Sequence, residues 1–393
     1  MRSLSTQKLR KENLESRLYN KSGYLPSQHI DTLAHLGNIR AAQPIDDRQF
    51  QPVSLDLRLG PKAYRIQSSF LPENDTVETK LKDVKLYEFD LREGGVLEKG
   101  AVYLIPLMEE LAFPGNVCGR TNPKSSTGRL DMFTRVIVDR GHRFDEIPSG
   151  YKGKMYLEII SRTFPVKVHA GLSLNQLRIF KGSSGISDRQ LRFKYKKEPM
   201  LYNSQGLPIS LGQVKLDGGL FIGVDIEGDS SRSVIAYKAK HNSHVIDLAK
   251  KDHYNPMDFW EPVYPREKNR LILEPESFYI MMSKEKICIW PHLLAEMVAY
   301  EPNSGELRTH YAGFFDPGFG WHGEDAPRQG TRAVMEVRPH DVPFMVEDGQ
   351  TFCRLKFEKM IEPPDKVYGK GLKSHYQTQG LALSKYFKTS KRQ

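Results

Sequence analysis

Apolar and polar residues alternate along most of this chain. "YLEII" (156–160), "VKVHA" (166–170), "QLRIF" (176–180) and "SVIAYKA" (233–239) are short and rich in Val, Ile, Tyr and Phe. Gly, Pro, Asp and Asn separate them. A period of two bounded by turn residues predicts half-buried strands. Many such strands predict a sandwich or a jelly-roll-like barrel. Within "MYLEII" the alternation puts Tyr156 and Glu158 on one face and Leu157 and Ile159 on the other. Helical periodicity is sparse. "PSQHIDTLAHLG" (26–37) reads as a helix capped by Ser27 and stopped at Gly37, and "PHLLAEMVAY" (291–300) as a second, short one.

The pattern then repeats. "MYLEIISRTFPVKVHAGLSLNQLRIFKG" (155–182) matches "AVMEVRPHDVPFMVEDGQTFCRLKFEKM" (333–360). Glu158 faces Glu336, Pro165 faces Pro343, Gly171 faces Gly349 and Leu177 faces Leu355, all at one common offset. Upstream, Tyr103 matches Tyr279, and "SLDLRLG" (54–60) resembles "GVDIEG" (223–228). Downstream, "YNSQG" (202–206) resembles "YQTQG" (376–380). Four blocks in one order mark a duplicated domain, far longer than a solenoid repeat. The sequence predicts a mainly β chain with few short helices. An N-terminal extension spans 1–23, a first domain 24–206 and a second domain 207–393.

Composition narrows the partners. The 393 residues are 39% hydrophobic and 27% charged, as in ordinary globular proteins. No apolar run approaches the ~20 residues of a membrane span, and "MRSLSTQKLRKENLESRLYNKSG" lacks the apolar centre of a secretory signal. A cytoplasmic protein is expected. Cys118, Cys288 and Cys353 are isolated, with no CxxC pair, so neither a disulfide framework nor a zinc site is expected. The net charge of +10 calls for an anionic partner. The basic residues form no single block, which disfavours nucleic acid.

"NPKSSTGRLD" (122–131) puts two cations, two adjacent hydroxyls and a glycine within six residues. That set suits a phosphate, and equally a solvated turn. Taken together, "PVSLDLRLG", "KSSTGR", "GYKGKMYLEI" and the Tyr/Gln tail resemble the dCTP deaminase family of the trimeric dUTPase-like superfamily, in its longer two-domain bacterial form. The resemblance implies two tandem dUTPase-like distorted β-barrel or jelly-roll domains. It makes Lys124, Ser125, Ser126, Thr127, Gly128 and Arg129 the phosphate loop and Glu158 the general acid/base. It places His142, Arg143 and Asp145 of "GHRFD", with Tyr156 and Leu157, around base and sugar. Tyr368, His375 and Gln379 become the tail residues that close over the triphosphate, His375 standing where the family usually has lysine. Relatives form three-fold rings with sites between subunits, so a homo-oligomer is expected.

The implied reaction is deamination of dCTP to dUTP and ammonia. Most nucleobase deaminases activate water on a Cys/His-bound zinc. Here the ligands are missing, so Glu158 would move the protons unaided. Ser125 would hold the water, Arg129 would stabilise charge on the ring, and Mg2+ would arrive on the triphosphate rather than as a resident metal. Two alternatives stay open. One is a dUTP pyrophosphatase or a bifunctional enzyme. The other is a non-catalytic nucleotide-binding regulator. The second half carries Glu336 and "AGFFDPGFG" (312–320), which resembles the superfamily's base-binding hairpin, but has "YEPNSGELR" (300–308) in place of the Ser-Ser-x-x-Arg loop. It is expected to be non-catalytic.

Overall fold

The computed structural model describes residues 21–230, 233–299, 307–308, 313–323, 330–369 and 380–389. It is mainly β, with the expected tandem repeat. In the first half, Ser173–Lys181 pairs with Gly23–Tyr24, Leu55–Arg58 and Val117–Pro123, forming one sheet. The facing sheet runs Lys85–Asp90, Lys62–Ile66, Val102–Ala112, Lys152–Ser161, Met132–Val138. The second half repeats both. One sheet runs Trp260–Val263, Ala236–Ala239, Tyr279–Ile287, Thr331–Pro339, Leu307–Arg308, and the other Leu220–Gly223, Thr351–Lys359, Leu293–Ala299, Phe314–Phe315.

The duplication extends to single bonds. The Tyr103 hydroxyl accepts from the Glu98 amide at 3.1 Å, and the Tyr279 hydroxyl accepts from the Glu274 amide at 3.0 Å. Glu158 lies opposite Leu104 and Glu336 opposite Ile280. Gly171 and Gly349 both take positive φ, 85° and 73°, at a turn where a Cβ would be strained.

Two local expectations change. The first helix is Ser27–His35, with Pro26 in the cap position. Ser27 is inside the helix and buried, so it is no cap. Residues 293–299, expected as helix, form the strand Leu293–Ala299. Leu293, Ala295 and Met297 alternate into the second core, and seven backbone partners on Thr351–Lys359 override the helical propensity.

The cores do not divide as the sequence does. The main core of the first half contains Leu57, Ile105, Leu157 and Phe164, but also Trp260, Ile280, Tyr386 and Phe387. Ile246–Asp247 adds a parallel strand to Val166–Val168, with the Ile246 amide 3.0 Å from the Pro165 carbonyl. Burial of those aromatics, at roughly 25 cal/mol per Å2 of apolar surface, ties the halves together. Among the described residues no helix is long and apolar enough to cross a membrane.

Candidate active site

The strand Val117–Pro123 leads directly into the loop at 124–129, which closes as one short helical turn, Ser125–Gly128. The Gly128 amide reaches the Lys124 carbonyl at 3.0 Å and the Arg129 amide the Ser125 carbonyl at 3.1 Å. The Lys124 amide and the Thr127 hydroxyl both donate to the Leu174 carbonyl, each at 2.9 Å. Ser126, Thr127 and Arg129 are buried, so this is no solvated turn. Lys124 forms an ion pair with Asp56, a buried residue of the "SLDLRLG" block whose carboxyl burial pushes up.

The end of the chain covers this loop. Arg129 Nη1 donates to the Ala382 carbonyl at 2.9 Å, and the Ser384 hydroxyl donates to the Ser126 carbonyl at 2.7 Å. Tyr386 and Phe387 anchor the segment in the aromatic cluster, the Phe387 ring 5.9 Å from Trp260. Lys385 is thereby held near Lys124 and Lys251. Burial first, and then those two charges, lower its ammonium to about 8.

Glu158 lies elsewhere. Leu157 and Ile159 enter the main core, and Tyr156 enters a smaller cluster on the outer face of its sheet, as the alternation predicts. Glu158 shares that outer face. Arg135, its partner across the sheet, donates through Nε at 3.0 Å and also through Nη2. The guanidinium stacks 3.7 Å from the Phe144 ring centroid and 4.7 Å from that of Phe133, and donates to Ser69 at 2.8 Å. The first half thus seals its own acid, while the loop is bonded to Leu174 on a strand of the other sheet.

The matching face of the second half is covered differently. Ala333, Met335 and Val337 enter the second core, so Val334, Glu336 and Arg338 share the outer face. Val334 packs against the core that both halves share. Arg338 donates to Asp131, two residues beyond Arg129, and to Thr163 at 2.8 Å. Glu336, between them and 2% exposed, therefore borders the loop's side of the first half. The hairpin at 313–320 lies there too. The Gly313 amide donates to Asn122 Oδ1 at 2.9 Å, and the fully buried Arg178 donates to Asp316 at 2.8 Å while stacking 3.9 Å from Phe314. The charge of Asp316 reaches Asp56, raising its carboxyl further.

The remaining expected residues disperse. His142 and Arg143 are exposed, contact Glu73 and Glu146, and line an open cavity of about 420 Å3 with Cys118 and Phe180. Asp145 is half-buried in the turn, its Oδ1 accepting from the Thr121 hydroxyl at 2.6 Å and the Val136 amide at 2.9 Å, and desolvation of its carboxyl pushes it up to about 7. The Leu157 side chain faces the core, and the Tyr156 hydroxyl donates to Glu78 at 3.1 Å. Tyr368 stacks 5.7 Å from Phe319 of the second-half hairpin. His375 and Gln379 lie outside the described residues. Asp56, Arg135, Arg338 and Lys385 were not singled out by the sequence. Asp56 and Arg338 had a signal there, their places in repeated blocks. No cluster of three His, Cys, Asp or Glu that could hold a metal occurs among the described residues.

Comparison with known proteins finds relatives of both halves. A family model described as 2'-deoxycytidine 5'-triphosphate deaminase (DCD) N-terminal domain matches residues 21–183. The model described as the C-terminal domain matches 187–387. The crystal structure of 2'-deoxycytidine 5'-triphosphate deaminase from Agrobacterium tumefaciens is similar with a TM-score of 0.82 and 42% identity, over 90% of this chain and 99% of that one. The "dCTP deaminase, dUMP-forming" of Acidothermus cellulolyticus is 31% identical over 157 residues, 39% of this chain and 78% of the relative. The "dCTP deaminase" of Ignicoccus hospitalis is 28% identical over 158 residues, 39% of this chain and 82% of the relative. With both of its halves matched in order, the chain belongs to the 2'-deoxycytidine 5'-triphosphate deaminase family.

Proposed function

We propose that this protein deaminates dCTP to dUTP and ammonia. The observation that carries the reading is the intact Lys124–Arg129 loop, buried under the chain's own C-terminal segment and ringed by Lys385 and Asp56, in a chain of this family. Lys124, Arg129 and Lys385 supply the positive field that a triphosphate needs. Mg2+ comes with the substrate, on its phosphates.

The chemistry asks little beyond proton transfer. Water adds at C4 of the ring while a glutamate carries one of its protons to N3. The same carboxylate then carries the C4 hydroxyl proton to the amine. The C4–N bond breaks, ammonia leaves and C4 becomes a carbonyl. One positioned acid/base typically contributes ~10²–10⁴-fold. Ser125 holds the water, and Arg129 offsets charge developing on the ring. A three-fold assembly in the cytoplasm belongs to the same proposal.

The test is direct. Incubation with dCTP, CTP, deoxycytidine and dUTP, following ammonia and pyrophosphate separately, should give ammonia from dCTP. Pyrophosphate appearing with it would assign a dUMP-forming enzyme. Pyrophosphate from dUTP with no ammonia from any cytosine compound would overturn deamination.

A further inference from the structure

The repeat offers two glutamates, Glu158 and Glu336, at one position on matching strands, and the reaction needs one. We propose that Glu336 is the acid/base, and that the reaction centre is composite within a single chain: the loop from the first half, the glutamate and the hairpin at 313–320 from the second. This inference rests on the deaminase reading above.

Three independent contacts lead to it. First, Glu336 stands between Val334 and Arg338 on the outer face of Thr331–Pro339. Same-face residues on a strand are about 7 Å apart. Val334 packs against the core that both halves share, and Arg338 is bonded to Asp131 and Thr163 of the first half, at the exit of the loop. The strand therefore presents Glu336 to the half that carries Lys124, Ser125 and Arg129. Second, the hairpin is fixed beside the loop's entry. Gly313 is bonded to Asn122, two residues before Lys124, and Asp316 to Arg178. Third, the C-terminal segment, which follows the second half, closes the loop from above through Ala382 and Ser384. Loop, hairpin, acid strand and tail converge on one junction.

Glu158 is closed over within its own half. Arg135 holds it from the next strand, and two aromatic rings hold Arg135. For Glu158 to take a proton from water beside the Lys124–Arg129 loop, that guanidinium would have to leave, and the ligand would have to be presented to the far face of the sheet. The two halves have thus kept complementary parts. The first keeps the Ser-Ser-x-x-Arg loop and has tied up its glutamate. The second keeps the glutamate and the hairpin and has lost that loop.

The experiment compares full-length wild type, Glu336→Gln, Glu158→Gln and Arg129→Ala. Ammonia release from dCTP is read as kcat and KM, and dCTP binding and the melting transition are read alongside. We expect Glu336→Gln to lose at least about 100-fold in kcat with dCTP binding within a few-fold. Glu158→Gln should keep kcat within a few-fold per folded molecule. Mixing refolded Glu336→Gln and Arg129→Ala chains should restore nothing, because each chain carries a broken copy of its own site. Loss of kcat in Glu158→Gln with activity kept in Glu336→Gln overturns the assignment, as does equal loss in both. Recovery of activity on mixing overturns the single-chain site, because loop and acid would then come from different chains. Wild type that binds dCTP but releases no ammonia overturns the deaminase reading, and this inference with it.

Discussion

Glu158 and Glu336 occupy the same place on duplicated strands, and what covers them differs in kind. Glu158 is closed over by its own half, through Arg135, Phe144 and Ser69. Glu336 lies two residues before Arg338, which reaches across to Asp131 of the other half. The same strand, alternation and burial thus yield a structural ion pair in one copy and a junction residue in the other. A duplicated fold keeps its backbone rules in both copies, while the side chains that meet each surface are free to diverge.

The sharpest way to break this contrast, beyond the glutamates themselves, is Arg129→Ala. It removes a buried cation from the loop, and kcat/KM for dCTP should fall ~10²–10³-fold, as for loss of one charge-stabilising donor. A smaller loss would leave the loop without a catalytic part. Next is Arg135→Met. It strands the Glu158 carboxylate in a buried site, which typically costs about 3–5 kcal/mol. Chemical denaturation should show that loss while turnover per folded molecule stays near wild type. Adding Glu158→Leu should recover most of the stability. A large loss of turnover with stability intact would mean that Arg135 serves chemistry.

Lys385→Met should raise KM for dCTP about 10-fold or more, the scale of one charged hydrogen bond, with kcat little changed. The smallest effect is in pH. Lys385 is held down to about 8 by burial and by Lys124 and Lys251, with Asp56 opposing. It loses its proton as pH rises through 8, so wild-type KM should climb a few-fold between pH 7.5 and 9 (roughly one pKa unit around the midpoint). In Lys385→Met that climb should flatten. If the wild-type KM were level over that range, Lys385 would be remote from the phosphates.

Much of this was legible in the residues. The period of two in "MYLEII" put Tyr156 and Glu158 on one face and Leu157 and Ile159 on the other, as found, because side-chain alternation is a local property of a strand. The matching of Glu158 with Glu336 survived into the sheet registers. What failed was tertiary. Nothing in "FTRVIV" says that Arg135 will lie opposite Glu158, since cross-strand register depends on a turn and a fold between them. The resemblance put Asp145 of "GHRFD" beside base and sugar, and no local pattern announced that its Oδ1 would meet Thr121 and Val136. The strand Leu293–Ala299 looked helical because Leu, Ala, Glu and Met are good helix formers, and sheet pairing won.

One feature of the fold also bears on how the molecule is made. The first half's core is completed by Trp260, Tyr386 and Phe387, and its edge strand Val166–Val168 by Ile246–Asp247. Most tandem domains close one after another as the chain leaves the ribosome. Here the earlier half must wait for rings that the second half supplies. Until Phe387 emerges, Phe164 and its neighbours lack their covering rings, and the loop at 124–129 has no roof. A chain cut short before residue 382 would therefore be left with an open core rather than a smaller working domain.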